Sequence, residues 1–266
     1  MCLNAWGNTM SGDIDEARNW QDDPIDCTRC AHVDLKTSGG CQPKQACIND
    51  RHAQRIDRFF DSNPELADSY LAHPYFEVRA IAAKFASLFL LPPLLADEDG
   101  TVRSSAVRRL PGRDVLHLRN DPCDEVRMRV ATRLEGDELL LMAPDKYYYV
   151  RLVVARRIAP SLLGGLIHDE EAEVRRVVAR RIPEDWLLRM VDDRDAPVRL
   201  TIAQRLSPQL LSLLRHDQDW RIRHEVASRI APSELIGLIE DPYSLVRDVA
   251  RSRLEVEAER GPRASA

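Results

Sequence analysis

Residues 174–199 read VRRVVARRIPEDWLLRMVDDRDAPVR and begin and end with the same dipeptide, Val-Arg. The dipeptide recurs every 24 residues through eight copies, once with Ile in place of Val. The copies are Val78-Arg79, Val102-Arg103, Val126-Arg127, Val150-Arg151, Val174-Arg175, Val198-Arg199, Ile222-Arg223 and Val246-Arg247. A fixed period of this size marks a structural unit that cannot bury its apolar face alone, so its copies must stack. The sequence therefore predicts a solenoid.

The period divides the 266-residue chain into three predicted parts. Residues 63–254 contain the eight units of 24 residues, and residues 1–62 precede them with five of the six cysteines. Residues 255–266 form a short polar C-terminal tail, which we expect to be frayed. We therefore expect a small N-terminal cysteine-bearing domain followed by one repeat domain.

The second half of each unit predicts an α-helix. At about 100° per residue, the Val and the apolar residues four and eight positions later share an arc of about 80°. In one unit these residues are Val174, Val178 and Ile182. An Ala at the fifth position, here Ala179, allows neighbouring helices to approach closely. A Pro or Gly follows the eighth position, as Pro183 does, and ends the helix.

The first half of each unit predicts a 3₁₀-helix. Leu or Met recurs there at a spacing of three, as in Leu163 and Leu166, and three residues make one turn of a 3₁₀-helix. A ten-residue α-helix rises about 15 Å, and only about seven residues are left to return that distance. Seven residues rise about 14 Å as a 3₁₀-helix but only about 10 Å as an α-helix. We therefore expect an all-α fold of alternating α- and 3₁₀-helices.

Two rows of charges follow the period. The Arg after each Val lies at the edge of the buried stripe, where a guanidinium group needs a partner. An Asp five positions before the Val recurs in all units but the first, and it is the candidate partner. A structural ladder of Arg and Asp is favoured over an arginine-lined groove for nucleic acid, because residues 63–266 carry 31 basic and 33 acidic residues. The groove stays the alternative, because Arg suits bidentate phosphate contact.

The bulk composition limits the function classes. The net charge of −5 gives no global attraction to nucleic acid or to an anionic membrane. No apolar run approaches the roughly 18 residues of a membrane span, and the N-terminus lacks the pattern of a signal peptide. We therefore predict a cytoplasmic protein without a membrane partner. No P-loop, nucleophile elbow, zinc-protease motif or triad is recognisable, so we expect neither an enzyme nor a small-molecule substrate.

The N-terminal part carries the pattern Cys27-x₂-Cys30-x₁₀-Cys41-x₅-Cys47. Four thiolates suit either zinc or a [4Fe–4S] cluster, and the spacing alone does not choose between them. The residues TSGG before Cys41 allow a tight turn. We expect Cys47 to open a helix, whose N-terminus favours an anionic thiolate.

Two further groups of residues are singled out, an apolar set after Cys47 and two cysteines outside the cluster. We expect Ile48, Ile56, Phe59 and Phe60 to form one buried face of the helix that Cys47 opens. Cys2 and Cys123 lie apart from the four clustered cysteines, and we expect both to be free thiols.

The 24-residue unit, with its leucines three apart and its Val-Arg-x-x-Val/Ala helix, resembles the leucine-rich repeat variant (LRV) family. With the four cysteines upstream, the chain resembles LRV proteins that carry an iron–sulfur cluster. The resemblance implies a right-handed superhelix of alternating α- and 3₁₀-helices. It also implies a [4Fe–4S] cluster bound by Cys27, Cys30, Cys41 and Cys47, with zinc as the runner-up.

These features predict an iron–sulfur protein whose solenoid is a scaffold for a macromolecule, with protein favoured over nucleic acid as the partner. A terminal repeat would expose its apolar face, so we expect the cluster domain to cap the solenoid, and it is a candidate redox sensor. Two alternatives stay open. One is electron transfer by the cluster, and the other is nucleic-acid binding through the arginine rows.

Overall fold

The computed structural model describes residues 16–260, and within that range it contains helices and no strand. The chain divides into two compact units, residues 1–142 and 143–266. The α-helices are Val33–Ser38, Ala53–Ser62, Phe76–Phe85, Gly100–Arg109, Gly112–Val115, Asp124–Ala131, Gly136–Leu140, Tyr148–Arg157, Ala172–Arg181, Glu184–Leu187, Ala196–Arg205, Trp220–Arg229 and Ser244–Arg260. The 3₁₀-helices are Cys27–Arg29, Pro64–Tyr70, Leu88–Leu90, Pro92–Ala96, Leu116–Asn120, Pro160–Leu166, Leu188–Met190, Pro208–Leu214 and Pro232–Leu238. The predicted alternation of α- and 3₁₀-helices is confirmed.

The repeat helices occupy the predicted half of each unit. Most contain ten residues, from two before the Val to seven after it, as in Ala172–Arg181. The helix ends where the residue at the eighth position turns to extended backbone, with φ −60° and ψ 147° at Ile182. In three units an Asp side chain caps the start, as Asp195 does by accepting from the Val198 N–H.

The return leg of a repeat is built in more than one way, and the position of proline differs between two of them. Where Pro lies fourteen residues before the Val or Ile, one seven-residue 3₁₀-helix follows, as in Pro160–Leu166. Pro111 and Pro183 lie one residue earlier, and each precedes a four-residue α-helix that continues into a 3₁₀-helix. A purely 3₁₀ return leg is therefore wrong for the repeats that contain Gly112–Val115, Gly136–Leu140 and Glu184–Leu187.

Apolar residues at the predicted positions form the core of each unit. In the first compact unit (1–142) Val78, Val102 and Val126 are fully buried. In the second compact unit (143–266) Val174, Val178 and Ile182 are fully buried. The Ala at the fifth position, such as Ala179, is also fully buried. A side chain larger than Ala in place of Ala179 would have to be accommodated in a contact that is already fully buried.

The arginine that follows each Val connects consecutive repeats. Arg175 donates from Nε and Nη2 to the two carboxylate oxygens of Asp193, at 2.7 and 2.9 Å. Its Nη1 donates to the main-chain oxygens of Asp169 and Glu170. The same bidentate pairing joins Arg79 to Asp97, Arg103 to Asp121, Arg151 to Asp169, Arg199 to Asp217 and Arg223 to Asp241. The predicted Arg–Asp ladder is confirmed in these six repeats, where the Arg pairs with the Asp of the following repeat.

A second arginine row caps the C-terminal ends of the repeat helices. Arg205 donates from Nη1 to the main-chain oxygens of Ala179 and Ile182, at 2.8 and 2.6 Å. These carbonyls lie in the last turn of the preceding repeat helix and at its C-cap, which a helix leaves without internal partners. A cation there also interacts favourably with the helix dipole. Both sets of arginines therefore connect neighbouring repeats by hydrogen bonds.

Two expectations about the periphery of the repeats are wrong. The last helix continues to Arg260, so residues 255–260 are helical rather than frayed. Cys123 is only 3% exposed and forms a disulfide bond, so it is not a free thiol. Cys2 lies outside the described residues.

The boundaries 1–62, 63–254 and 255–266 stay a prediction, as does the handedness of the superhelix. No helix among the described residues is long and apolar enough to cross a membrane.

Candidate metal centre

The four clustered cysteines lie on different local elements and line one small cavity. Cys27 begins the 3₁₀-helix Cys27–Arg29, and Cys30 is the residue that ends it. Cys41 follows the helix Val33–Ser38, and Cys47 lies in the loop before Ala53–Ser62. The structure thus brings together the four residues that the sequence singled out. None of these four cysteines forms a disulfide bond.

Short-range hydrogen bonds shape the loops that carry these cysteines. Asp26 accepts from the Thr28 N–H and caps the 3₁₀ turn. Gly39 ends the next helix with φ +80°, a left-handed conformation that favours glycine. The Cys41 N–H then donates to the main-chain oxygen of Leu35, at 3.2 Å. The predicted tight turn in TSGG therefore returns the chain toward the cavity.

The loop around Cys47 differs from its prediction. Helix Ala53–Ser62 begins six residues after Cys47, so Cys47 does not open a helix and gains nothing from a helix dipole. The Asp50 carboxylate accepts from the His52 N–H, and this local turn competes with helix in the residues before Ala53. The predicted apolar face is confirmed for Ile56, Phe59 and Phe60, which are fully buried on helix Ala53–Ser62, but Ile48 is buried in the loop before the helix and is not part of that face.

Burial sets the chemistry of the inner two thiols. Cys41 is 7% exposed and Cys47 is 2% exposed, whereas Cys27 and Cys30 are half-buried. Burial raises the pKa of Cys47 to about 12. Burial raises the pKa of Cys41 as well, and the nearby Cys30 and Cys27 add to that effect. Four such thiols can be thiolates together only when a bound cation compensates their charge.

Two polar groups that sequence reasoning missed donate to a cysteine sulfur. The main-chain N–H of His32 and the side-chain amide of Asn49 each lie 3.4 Å from Cys30 Sγ. Each residue comes two positions after a cysteine, and this proximity is the signal that was available in the sequence. Hydrogen bonds to the sulfurs are one way in which a protein tunes an iron–sulfur cluster.

Aromatic rings connect the cysteine loops to the first repeat. The ring of Phe60 packs edge-on to Tyr70, at 5.7 Å between centroids, and stacks on Phe85, at 6.0 Å. The ring of His32, which lines the cavity, packs on Phe59 and forms a hydrogen bond with the Tyr70 hydroxyl. The cavity and the first repeat therefore share one aromatic core.

A buried amide joins the loop before Cys41 to the end of helix Ala53–Ser62. Asn63 donates from Nδ2 to the main-chain oxygens of Gly40 and Phe59, both at 2.7 Å. A Cβ atom at Gly40 would lie 2.7 Å from Asn63 Oδ1, so the contact leaves no room for another residue. This junction fixes the position of Cys41 relative to the helix.

The donor set fits an iron–sulfur cluster. Four cysteine sulfurs are the usual ligands of a [4Fe–4S] cluster, so the four cysteines that line this cavity would hold one. In the described range, no group of three or more His, Cys, Asp or Glu side chains has the arrangement expected for a single ion. When bound, the cluster supplies the positive charge that keeps the thiolates ionised, together with a one-electron centre.

The fold and the four-cysteine cavity define an iron–sulfur repeat protein. Residues 17–69 match the family described as "LRV protein FeS4 cluster", so the cofactor is an iron–sulfur cluster. A solved structure described as "a leucine-rich repeat variant with a novel repetitive protein structural motif" is 38% identical. That alignment covers 86% of this chain and 99% of the other, with a TM-score of 0.81. The chain belongs to the leucine-rich repeat variant family.

A protein of Rhodobacter capsulatus is also similar. It is described as an uncharacterised 27.7 kDa protein in the nifB 3′ region, and it is 54% identical over 96 residues. The match spans 36% of this chain and 39% of the length of that protein.

Proposed function

We propose that the iron–sulfur domain caps the N-terminal end of the repeat array, and that the capped array is a scaffold for a protein partner. This role as a cap is supported by the aromatic core that the cysteine loops share with the first repeat. The largest fully buried side chains of the chain include Phe59 and Phe60 of that core. Without such a cover, an end repeat would expose apolar surface to water.

The cysteine loops have little support of their own. Between residues 16 and 52, the longest helix is the six-residue Val33–Ser38, and it has no buried residue. The buried residues of residues 16–52 are Cys41, Cys47, Ile48 and Asp50. A segment with so small a core depends on a bound metal group for its stability. Loss of the cluster should therefore loosen the cap and, through Phe60, the first repeat.

The arginine rows favour protein over nucleic acid as the partner. In six repeats the guanidinium after Val or Ile forms a bidentate pair with an Asp. The guanidinium donors are therefore occupied in these six repeats. A phosphate backbone would have to displace paired, mostly buried carboxylates, which costs more than binding to free arginines.

Anaerobic removal of iron tests the cap. Thermal unfolding and hydrogen exchange are compared for the loaded protein, the chelated protein and a Cys41→Ala variant. We expect lost amide protection in residues 16–62 and in helix Phe76–Phe85, with protection retained in helix Trp220–Arg229. Equal melting temperatures and equal protection with and without iron would disprove the cap.

Electron transfer is the second candidate, and it has one supporting observation. Cys27 and Cys30 are half-buried, so one side of the site lies near the surface. Short distance to the surface favours electron exchange with a partner. Reversible one-electron voltammetry of the loaded protein is the expected result for this function, and the absence of any reduction at accessible potentials excludes it.

A cytoplasmic location and a non-enzymatic role belong to this proposal. Reduced thiols, which the cluster needs, favour the cytoplasm, although the disulfide of Cys123 is uncommon there. Cell fractionation with an antibody to the chain decides the location.

A further inference from the structure

A recess lies beside the cysteine loops, on the side of the first two repeats. The recess has a volume of about 390 Å³, and its lining includes Trp20, Tyr75, Phe76, Arg79, Glu98 and Asp99. We call it the Trp20 recess. All of its residues belong to the first compact unit. Neither the four-cysteine cavity nor the Arg–Asp ladder accounts for its exposed aromatic wall.

The wall of the recess is aromatic and held in place. The indole of Trp20 stacks on the ring of Tyr75, with centroids 5.8 Å apart and planes at 8°, and Trp20 stays 40% exposed. Tyr75 packs edge-on against Phe76, at 5.3 Å, and its hydroxyl donates to the main-chain oxygen of Arg51, at 3.1 Å. The exposed ring of Trp20 is therefore supported from behind by the first repeat.

The rim of the recess is acidic. The Glu98 side chain is 89% exposed, and Asp99 accepts the Thr101 N–H at the start of helix Gly100–Arg109. The cation of the recess, Arg79, donates to both carboxylate oxygens of Asp97, and its Nη2 also lies 3.6 Å from Glu98 Oε1, so one cation faces three carboxylates. Glu98 and Asp99 therefore leave a surplus of negative charge beside the aromatic wall.

An aromatic face bordered by a surplus of carboxylates has the chemistry that recognises a guanidinium group. Arginine stacks on indole through cation–π attraction and pairs with carboxylates at the same time. We propose that the Trp20 recess binds an arginine-bearing basic segment of a partner protein. This inference rests on the proposed scaffold function and places one contact of the partner beside the cluster domain.

Two substitutions remove the proposed contacts without disturbing the fold. Asp99→Asn keeps a side chain that caps a helix as well as Asp does, and Glu98→Gln changes an exposed side chain. The double variant E98Q/D99N therefore removes two charges from the rim. The matched control E240Q/D248N removes two exposed charges from the C-terminal repeats and gives the same net charge. Trp20→Leu removes the indole, and Trp220→Leu, which breaks the stacked pair of Trp220 and Tyr243, is its control.

Fluorescence anisotropy of the iron-loaded, full-length protein measures binding of a fluorescein-labelled (Gly-Arg)₆ peptide at low ionic strength. We expect E98Q/D99N to bind about tenfold more weakly and Trp20→Leu about threefold more weakly. Both controls should bind like the parent chain. A (Gly-citrulline)₆ peptide, which has the same shape without the charge, should bind at least tenfold more weakly than the arginine peptide.

Arginine binding at the Trp20 recess is disproved if E98Q/D99N binds the arginine peptide as tightly as E240Q/D248N does. It is also disproved if the citrulline peptide binds as tightly as the arginine peptide. The cap is tested separately, by the effect of iron removal on protection. Suppose that iron removal lowers amide protection as expected for the cap, but that E98Q/D99N binds the peptide as tightly as the parent chain. The proposed binding at the recess would then be wrong, and the proposed cap would stand.

Discussion

The repeat array and the cysteine loops are held together in different ways. The Val or Ile before the repeated Arg is fully buried in all eight repeats, and six repeats carry the same bidentate Arg–Asp pair, such as Arg175 with Asp193. The loops before Ala53 have short helices, few buried residues and a cavity lined by four thiols. The array is therefore supported by many equivalent contacts between neighbours, whereas the loops depend on a single cofactor. Each of the following predictions changes one side of this comparison.

The largest effect is expected from breaking one rung of the ladder. Arg175 and Asp193 have side chains that are each 5% exposed. Arg175→Met leaves a buried carboxylate without its cation, which costs about 3 to 5 kcal/mol. Urea unfolding followed by circular dichroism measures the loss.

The neighbouring residue provides the control. Arg176 pairs with Glu173 at the surface, where the side chains are 35% and 54% exposed. Arg176→Met should cost less than about 1 kcal/mol. Equal losses for the two variants would show that the ladder does not stabilise the array.

A smaller effect is expected at the junction between the loops and the first long helix. Asn63→Ala leaves the main-chain oxygens of Gly40 and Phe59 without their amide donor, which costs about 2 kcal/mol. The damage should appear as faster hydrogen exchange around Cys41 and earlier release of iron, with the repeats of the second unit unchanged.

Gln54→Ala, at an exposed position on the same helix, is the control for Asn63→Ala. Iron retention equal to that of Gln54→Ala would mean that the junction does not hold the cysteine loop in place.

Acid should weaken the two regions in different pH ranges. Burial lowers the pKa of His52 and of His73 from the usual 6.5. The unfolded chain then binds more protons than the folded one, so stability falls as the pH drops through about 6.5. The hydrogen bond from Arg223 lowers the pKa of Asp241 from 3.8, so that pair loses stability only as the pH falls below about 4.

Melting curves between pH 7.5 and about pH 3.5 test this order. The first unit should weaken on passing from pH 7.5 to about 5, and a His52→Gln/His73→Gln variant should lose less stability in that range. A pH profile that is the same for the variant and the parent chain would show that these histidines do not contribute.

The smallest effect concerns the potential of the cluster. Asn49 donates to Cys30 Sγ, and such a bond stabilises the more negative, reduced state. Asn49→Ala should lower the reduction potential by an amount on the order of tens of millivolts, measured by protein-film voltammetry. Gln45→Ala, an exposed change in the same loop, should leave it unchanged. An unaltered potential in Asn49→Ala would mean that the amide does not tune the cluster.

The sequence by itself determined the period, the α-helices and the four-cysteine set. Each of these depends on spacing along the chain, since an apolar stripe at Val174, Val178 and Ile182 can lie on one face only in a helix. It also identified the apolar face of Ile56, Phe59 and Phe60, although it placed the start of that helix six residues too early at Cys47. The local turn at Asp50 decides that start, and a turn of this kind leaves no periodic signal.

Only the tertiary structure decided which groups meet across the repeats and loops. The helical wheel places Arg175 at the edge of the stripe, but the stacking of repeats brings it to Asp193 of the next repeat. Asn49 reaches Cys30 across nineteen positions of the chain. Trp20 similarly meets Tyr75 from a distant segment. Periodicity is a property of local backbone geometry, whereas these pairings depend on how distant segments pack, which no single spacing in the sequence encodes.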